Sequence, residues 1–258
     1  YKHAGTVDIH IMMKYANGRN FTESENQVDI ELFYREKGSG EPLLLLHGNG
    51  ESGAYFTHQM DYFQNKYRVI APDTRGHGKS PRGEAPFTIA QFACDLYDFI
   101  KVHRIPKAVI LGFSDGANIA MQFTMQHPDM VKALILNGGN LSAKGVKRTT
   151  QLPIEIGYKI ARHFAAKSQD AARNAEMLGL MVNEPNIKPQ ELSLITAPTL
   201  VIAGTKDMIK ESHTREIAEN LPHAKLMLIR GDHFVANRHP AAFNRAVDDF
   251  LNEVTLTR

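Results

Sequence analysis

A chain of 258 residues with 43% apolar side chains is too long for a small stapled module and can bury a sizeable core, so one large α/β domain or two small ones are the starting expectations. The formal charge of +2 is nearly balanced and no basic block with interleaved aromatics occurs, which argues against a nucleic-acid partner. The single cysteine, Cys94, rules out an intrachain disulfide and suits a reducing cytoplasm, while apolar runs no longer than a strand (residues 42–46 and 197–203) predict neither a membrane span nor a signal segment.

Near the start, residues 7–11 alternate like a strand and Asn17-Gly18 offers a hairpin turn, so a peripheral antiparallel strand is expected there. Residues 27–36 read as a second strand, closed by Gly38-Ser39-Gly40. The continuous run Pro42-Leu43-Leu44-Leu45-Leu46 implies burial on both faces, as in a central parallel strand. It ends at His47-Gly48-Asn49-Gly50, a turn whose backbone amides are candidates to face a ligand. A helix follows, with Phe56, Met60 and Phe63 at helical spacing, then a strand over 67–71 and the polar loop 72–80. His77 in that loop has no metal-ligand spacing and reads as a loop residue.

Thr88 is placed to cap a helix over 88–103, with Ile89, Phe92, Ala93, Leu96, Phe99 and Ile100 as its buried stripe and Cys94 as a buried structural thiol. Next comes the stretch around which the rest is organised. Ala108-Val109-Ile110-Leu111 predicts a strand, Gly112-Phe113-Ser114-Asp115-Gly116 a sharp turn, and residues 117–127 a helix stopped by Pro128. A serine at the apex of such a turn needs small neighbours, because the following helix packs closely on the strand. Its hydroxyl is a weak nucleophile without a base, so the motif calls for a histidine, a carboxylate to orient it and donors for an oxyanion.

Another strand is expected over 131–136. From 141 to 190 the alternation breaks into helical patterns at 154–166 and 169–181, with no strand, and reads as a helical cap inserted after the sixth strand. Alternation resumes with strands at 199–203 and 225–229 and helices at 211–220 and the C-terminus. The expected fold is therefore a single α/β domain over 1–258, with a mostly parallel sheet of about eight strands and helices on both faces.

In such a sheet, functional residues lie in loops after the strands. Asp207, after the strand at 199–203, and His233, after that at 225–229, qualify, and the order Ser114, Asp207, His233 is that of one hydrolase architecture. Asp232 is the rival acid, but neighbouring side chains on an extended loop diverge. His213, His223 and His239 fall in helical or turn contexts.

His47-Gly48-Asn49-Gly50, Asp73-x-Arg75-Gly76-x-Gly78-x-Ser80, the Ser114 turn, Gly204-x-x-Asp207 and Gly231-Asp232-His233 occur in order on the expected elements. From about Glu31 onward the sequence resembles the α/β-hydrolase fold superfamily. The resemblance implies Ser114 as nucleophile, His233 as general base and later acid, and Asp207 as the group that orients the imidazole. It assigns the oxyanion hole to the backbone N–H groups of Asn49 and Asp115. Serine where dehalogenase and epoxide-hydrolase members carry aspartate points to acyl transfer to water, hence a serine hydrolase acting on a carboxylic ester or similar small acyl compound. Carbon–carbon bond hydrolysis, acyl transfer, perhydrolysis and a ligand sensor with little turnover remain the alternatives.

Gly-x-Ser-Asp-Gly further resembles the turn of biphenyl-hydrolase-like members, some of which cleave esters of amino acids. If the Asp115 carboxylate reaches the pocket, a cationic amine near the acyl carbon is favoured. Otherwise it pairs with a nearby backbone or basic group. Phe113, Tyr158, Phe164, Met177, Met181, Met208 and Phe234 are candidates for an apolar pocket, and core packing is the alternative reading of the cap members. Lys144, Lys147, Arg148, Arg162 and Lys167 either attract anions or are simply solvated. No metal or organic cofactor is expected, and the partner is a small acyl molecule taken up by a monomer or weak homodimer in the cytoplasm, without membrane or nucleic acid.

Overall fold

The computed structural model describes residues 29–256. Seven strands form one sheet: β1 (Tyr34–Lys37), β2 (Glu41–Leu46), β3 (Tyr67–Pro72), β4 (Ala108–Phe113), β5 (Val131–Asn137), β6 (Thr199–Gly204) and β7 (Ala224–Ile229), in the order β1-β3-β2-β4-β5-β6-β7. Only β1 is antiparallel, pairing Tyr34 with Pro72 and Lys37 with Val69. Every other pair is parallel, so each connection crosses over a face of the sheet.

The leucine run shows why the sheet is central. Leu43 and Leu45 face one apolar layer while Leu44 and Leu46 face the other, and all four are buried. Side chains alternate along a strand, so a run with no polar member is stable only when both faces are covered. The first layer is covered by α1 (Thr57–Phe63) and the second by α2 (Ile89–Val102) and α3 (Asp115–Gln126). The Thr88 hydroxyl accepts from the Gln91 N–H at 3.1 Å and starts α2 where expected; Cys94 on that helix is half-buried rather than buried.

Between β5 and β6 the chain leaves the sheet to form a helical hairpin, α4 (Arg148–Phe164) and α5 (Gln169–Asn183). It returns through α6 (Glu211–Asn220) and ends with α7 (Val235–Arg238) and α8 (Pro240–Leu256). Helix α4 starts six residues before its expected position, because Pro153 is accommodated inside it on the exposed side.

The strand at 7–11 and the turn at Asn17-Gly18 lie outside the described residues, so the excursion follows the fifth described strand. The strand expected over 27–36 enters the ladder only at Tyr34. Before it, the Phe33 N–H donates to the Ser80 hydroxyl at 2.9 Å and the Phe33 carbonyl accepts from Asp73 N–H at 2.8 Å, so these groups anchor the loop after β3.

Candidate active site

Strands β3 and β4 flank β2 on opposite sides, so β2 marks the point where the strand order reverses and the loops after β2 and β4 open a crevice. Ser114 stands there, between the end of β4 and the first turn of α3, with φ 54° and ψ −119°. Positive φ on a non-glycine residue is costly and persists only where the surroundings impose it. Here they do: the Ser114 N–H donates to the Asn137 carbonyl at 2.8 Å, and the flanking glycines allow contacts that no side chain permits. A Cβ on Gly112 would lie 2.3 Å from the Gly116 carbonyl oxygen, and one on Gly116 only 1.9 Å from that of Leu46.

The loops after β6 and β7 bring the other two groups. His233 Nε2 lies 3.0 Å from Ser114 Oγ, and His233 Nδ1 lies 2.7 Å from Asp207 Oδ1. Asp207 is buried, and its carboxylate also accepts the N–H groups of Ile209 at 2.9 Å and Gly204 at 3.3 Å. Burial alone would raise its pKa, but the hydrogen bond and charge of His233 and these two N–H donors outweigh it and hold the carboxyl below its usual range. The rival Asp232 turns away: it accepts from Phe234 N–H at 3.0 Å and pairs with the exposed Arg238. Thus three residues separated by 119 and 26 positions form one hydrogen-bonded line.

Asp115 begins α3, where a helix leaves its first N–H groups without internal partners. The loop carrying Asn49 closes on the same point, since a Cβ on Gly48 would be 3.1 Å from Ser114 Cβ. His47 braces that loop from behind. Its Nδ1 donates to the Gly48 carbonyl at 2.8 Å and its Nε2 accepts the Thr74 N–H at 3.0 Å, which assigns the neutral tautomer. Burial, with the neighbouring His77, pushes His47 down to about 4.

The Asp115 side chain is buried. Asn118 reaches its Oδ1 at 3.4 Å, and its Oδ2 has no hydrogen-bond partner among the described residues. Burial pushes its carboxyl up to about 6, with Glu184 adding to the rise and the amides of Asn49 and Asn118 opposing it.

The expected pocket residues separate into groups. Phe113 is fully buried, stacks on Tyr55 at 4.4 Å and supports the His233 ring at 4.9 Å. Phe164 is 47% exposed on the outer face of α4, four residues beyond the exposed Ile160. Tyr158 lines a groove with Phe87, Thr88 and Arg162 whose walls include none of the three central residues. Met177, Met181 and Met208 are half-buried, and the Asn49 amide donates to the Met177 carbonyl at 2.7 Å, tying α5 to the loop after β2. Phe234 is half-buried beside Tyr55, Glu51 and Arg238 in an open pocket next to that loop.

Three supporting residues carried weaker sequence signals. The sequence signal at His47 points only to the amides that follow it. Gly138, at φ +63°, packs so closely on the imidazole that a Cβ would lie 2.7 Å from His233 Cε1; its signal was the Asn137-Gly138-Gly139 turn. Lys147 donates to the Asp207 carbonyl at 2.5 Å, a contact with no sequence signature. Among the described residues no cluster of His, Cys, Asp or Glu is arranged to hold a metal ion.

A parallel sheet with a serine at a strained strand–helix turn, and its two partners on later strand loops, defines the alpha/beta hydrolase fold. The family model of that name matches residues 41–154. An uncharacterized protein of Mycobacterium tuberculosis (strain ATCC 25618 / H37Rv) is 35% identical over 123 residues, 48% of this chain, and the chain spans only 35% of that protein's length. The serine hydrolase BPHL of Homo sapiens is 26% identical over 263 residues, covering 92% of this chain and 88% of that one. The crystal structure of the enol-lactonase from Burkholderia xenovorans LB400 superposes with a TM-score of 0.73 at 21% identity, over 86% of this chain and 97% of that one, a likeness of fold. Residues 41–154 match the alpha/beta hydrolase fold family, and the chain shares that fold with the solved structure.

Proposed function

We propose that this chain is a serine hydrolase that cleaves a carboxylic ester or similar small acyl compound through an acyl-enzyme on Ser114. The observation that carries the reading is the line from Ser114 Oγ to His233 Nε2 at 3.0 Å and from His233 Nδ1 to Asp207 Oδ1 at 2.7 Å. Ser114 attacks the carbonyl carbon while His233 takes the hydroxyl proton, and Asp207 holds the imidazole tautomer and stabilises its cation. The tetrahedral oxyanion is received by the N–H groups of Asn49 and Asp115, each such donor contributing about 3 kcal/mol in sites of this kind. His233 then protonates the leaving oxygen, and a water deprotonated by the same imidazole releases the acid. Residues 141–190 act as a cap over this crevice, tied to it through Asn49 and Lys147.

A second reading concerns substrate choice and rests on Asp115, whose buried Oδ2, one residue from the nucleophile, has no hydrogen-bond partner among the described residues. A cationic amine on the acyl portion would satisfy it. Comparing alanine esters with and without the α-amino group tests this, and equal specificity constants refute it.

The primary test is intact mass after incubation with a fluorophosphonate, run on the native chain and on Ser114→Ala, beside turnover of short-chain p-nitrophenyl esters. A single adduct and steady turnover in the native chain alone support the hydrolase. No adduct on the native chain overturns it, and a burst with slow release favours a ligand sensor. Acylation with steady release to an acceptor other than water supports an acyltransferase instead.

A further inference from the structure

The outer face of α4 differs from the rest of the surface. Leu152, Ile156, Ile160 and Phe164 recur every four residues and are 43%, 51%, 56% and 47% exposed. They are half of the eight large hydrophobic side chains exposed among the described residues, gathered on one helix. A repeat of four sets them in a single oblique row. The opposite face is occupied: Gln151 donates to the Met181 carbonyl at 3.1 Å and the Tyr158 hydroxyl accepts from Asn183 at 3.3 Å, so the row is not the side that packs on α5. Isolated exposed hydrophobics need no explanation, but a contiguous row does.

Charge is concentrated on the same segment. Residues 144–167 hold six basic side chains (Lys144, Lys147, Arg148, Lys159, Arg162 and Lys167) and one carboxylate, Glu155. The segment is therefore +5, and since the whole chain is +2, the remainder is −3. Glu155 is held by Arg148 at 2.8 Å, so it adds no free negative charge to the face. Lys159, His163 and Lys167 are exposed beside the apolar row, and the next carboxylate, Asp170, belongs to the first turn of α5.

We propose that α4 docks on an anionic lipid surface, its apolar row entering the headgroup–acyl boundary and its basic side chains meeting lipid phosphates and carboxylates. An apolar row flanked by basic residues is the pattern of helices that lie in such an interface, and long Lys and Arg side chains cover apolar surface while keeping their charge at headgroup level. Docking is flat: no helix among the described residues is long and apolar enough to cross a membrane. A second copy is the poorer occupant, because two identical basic faces brought together oppose like charges. The near-neutral total charge hides this asymmetry. The docking stands independently of the hydrolase reading.

The chain contains no tryptophan, so Ile160→Trp installs a single fluorescent reporter in the row without touching the core. Vesicles of phosphatidylcholine alone and with about 30% phosphatidylserine are the probes. The expected result is a blue shift and co-sedimentation with the anionic vesicles only, reversed by raising salt toward about 1 M. The native chain should partition roughly tenfold more strongly than the variant combining Leu152→Ser, Ile156→Ser, Ile160→Ser and Phe164→Ser. Circular dichroism and thermal melting check that this variant folds; if it does not, the tryptophan reporter decides alone. Equal partition into neutral and anionic vesicles, or no shift with either, overturns the proposal. So does sedimentation velocity showing a native dimer that the serine variant dissociates, with no vesicle binding, since the row is then an interface between copies.

Discussion

Asp207 and Asp232 illustrate how local chemistry separates two carboxylates that sequence places almost equally well. Both follow strands at the same end of the sheet, yet only Asp207 meets His233, because Phe234 N–H and Arg238 hold Asp232 outward. On the proposed mechanism, Asp207→Asn leaves the imidazole in the wrong tautomer and lowers ester turnover by about 10⁴, the magnitude seen when a triad aspartate is so changed. Asp232→Asn should change it by no more than a few-fold, as expected for an exposed ion pair. Steady-state rates on one p-nitrophenyl ester for the two variants decide between the acids. His233 and Ser114 were legible because each follows a strand with a glycine beside it. Lys147 was not, because its contact with the Asp207 carbonyl joins chain segments that only the fold brings together.

At the scale of elements, close approach of β2, β4 and α3 builds the serine turn. Gly116 sits where α3 crosses the end of β2, and a methyl group there would lie 1.9 Å from the backbone oxygen of Leu46, a residue paired with Gly112 of β4. Gly116→Ala is therefore expected to cost about 3 kcal/mol or more and to lower the melting temperature by roughly 6–12 °C. Gly50→Ala is the control: its φ is +73° but no atom lies within 4 Å of the added methyl, so only backbone strain of about 1–2 kcal/mol applies. Calorimetry of the pair separates steric need from conformational need, and equal losses would refute the distinction. Most elements were readable from apolar periodicity and glycine punctuation. The start of α4 was not, since a proline reads as a helix boundary although its missing N–H is tolerated on an exposed side.

Over the whole molecule, two buried groups near the crevice oppose each other in acid. Asp115 is pushed up to about 6, so between pH 4 and that value the folded state binds the proton more tightly than the unfolded chain, and stability falls as pH rises. His47 is pushed down to about 4, so the folded state sheds its proton first, and stability is lost as pH falls from about 6.5 to that value. Each contributes about 3 kcal/mol over its window, and the two slopes largely cancel. Acidification from about pH 6.5 to 4 should thus cost the native chain less stability than it costs Asp115→Asn, which should be the more stable of the two above about pH 6. Parallel pH profiles for the two proteins would show that Asp115 is not the opposing group.

Sequence alone determined the alternation of strands and helices, the parallel central sheet, the serine turn and the loops that carry Asp207 and His233. These follow from periodicity, glycine spacing and strand order, which are local or nearest-neighbour properties. Only the tertiary structure decided what each side chain faces. It placed Phe113 beneath the imidazole, left an Asp115 oxygen without a hydrogen-bond partner among the described residues, and turned Leu152, Ile156, Ile160 and Phe164 to the solvent side of α4 beside its basic residues. Burial and electrostatics depend on residues distant in the chain, and composition averages away the asymmetry that a folded surface displays.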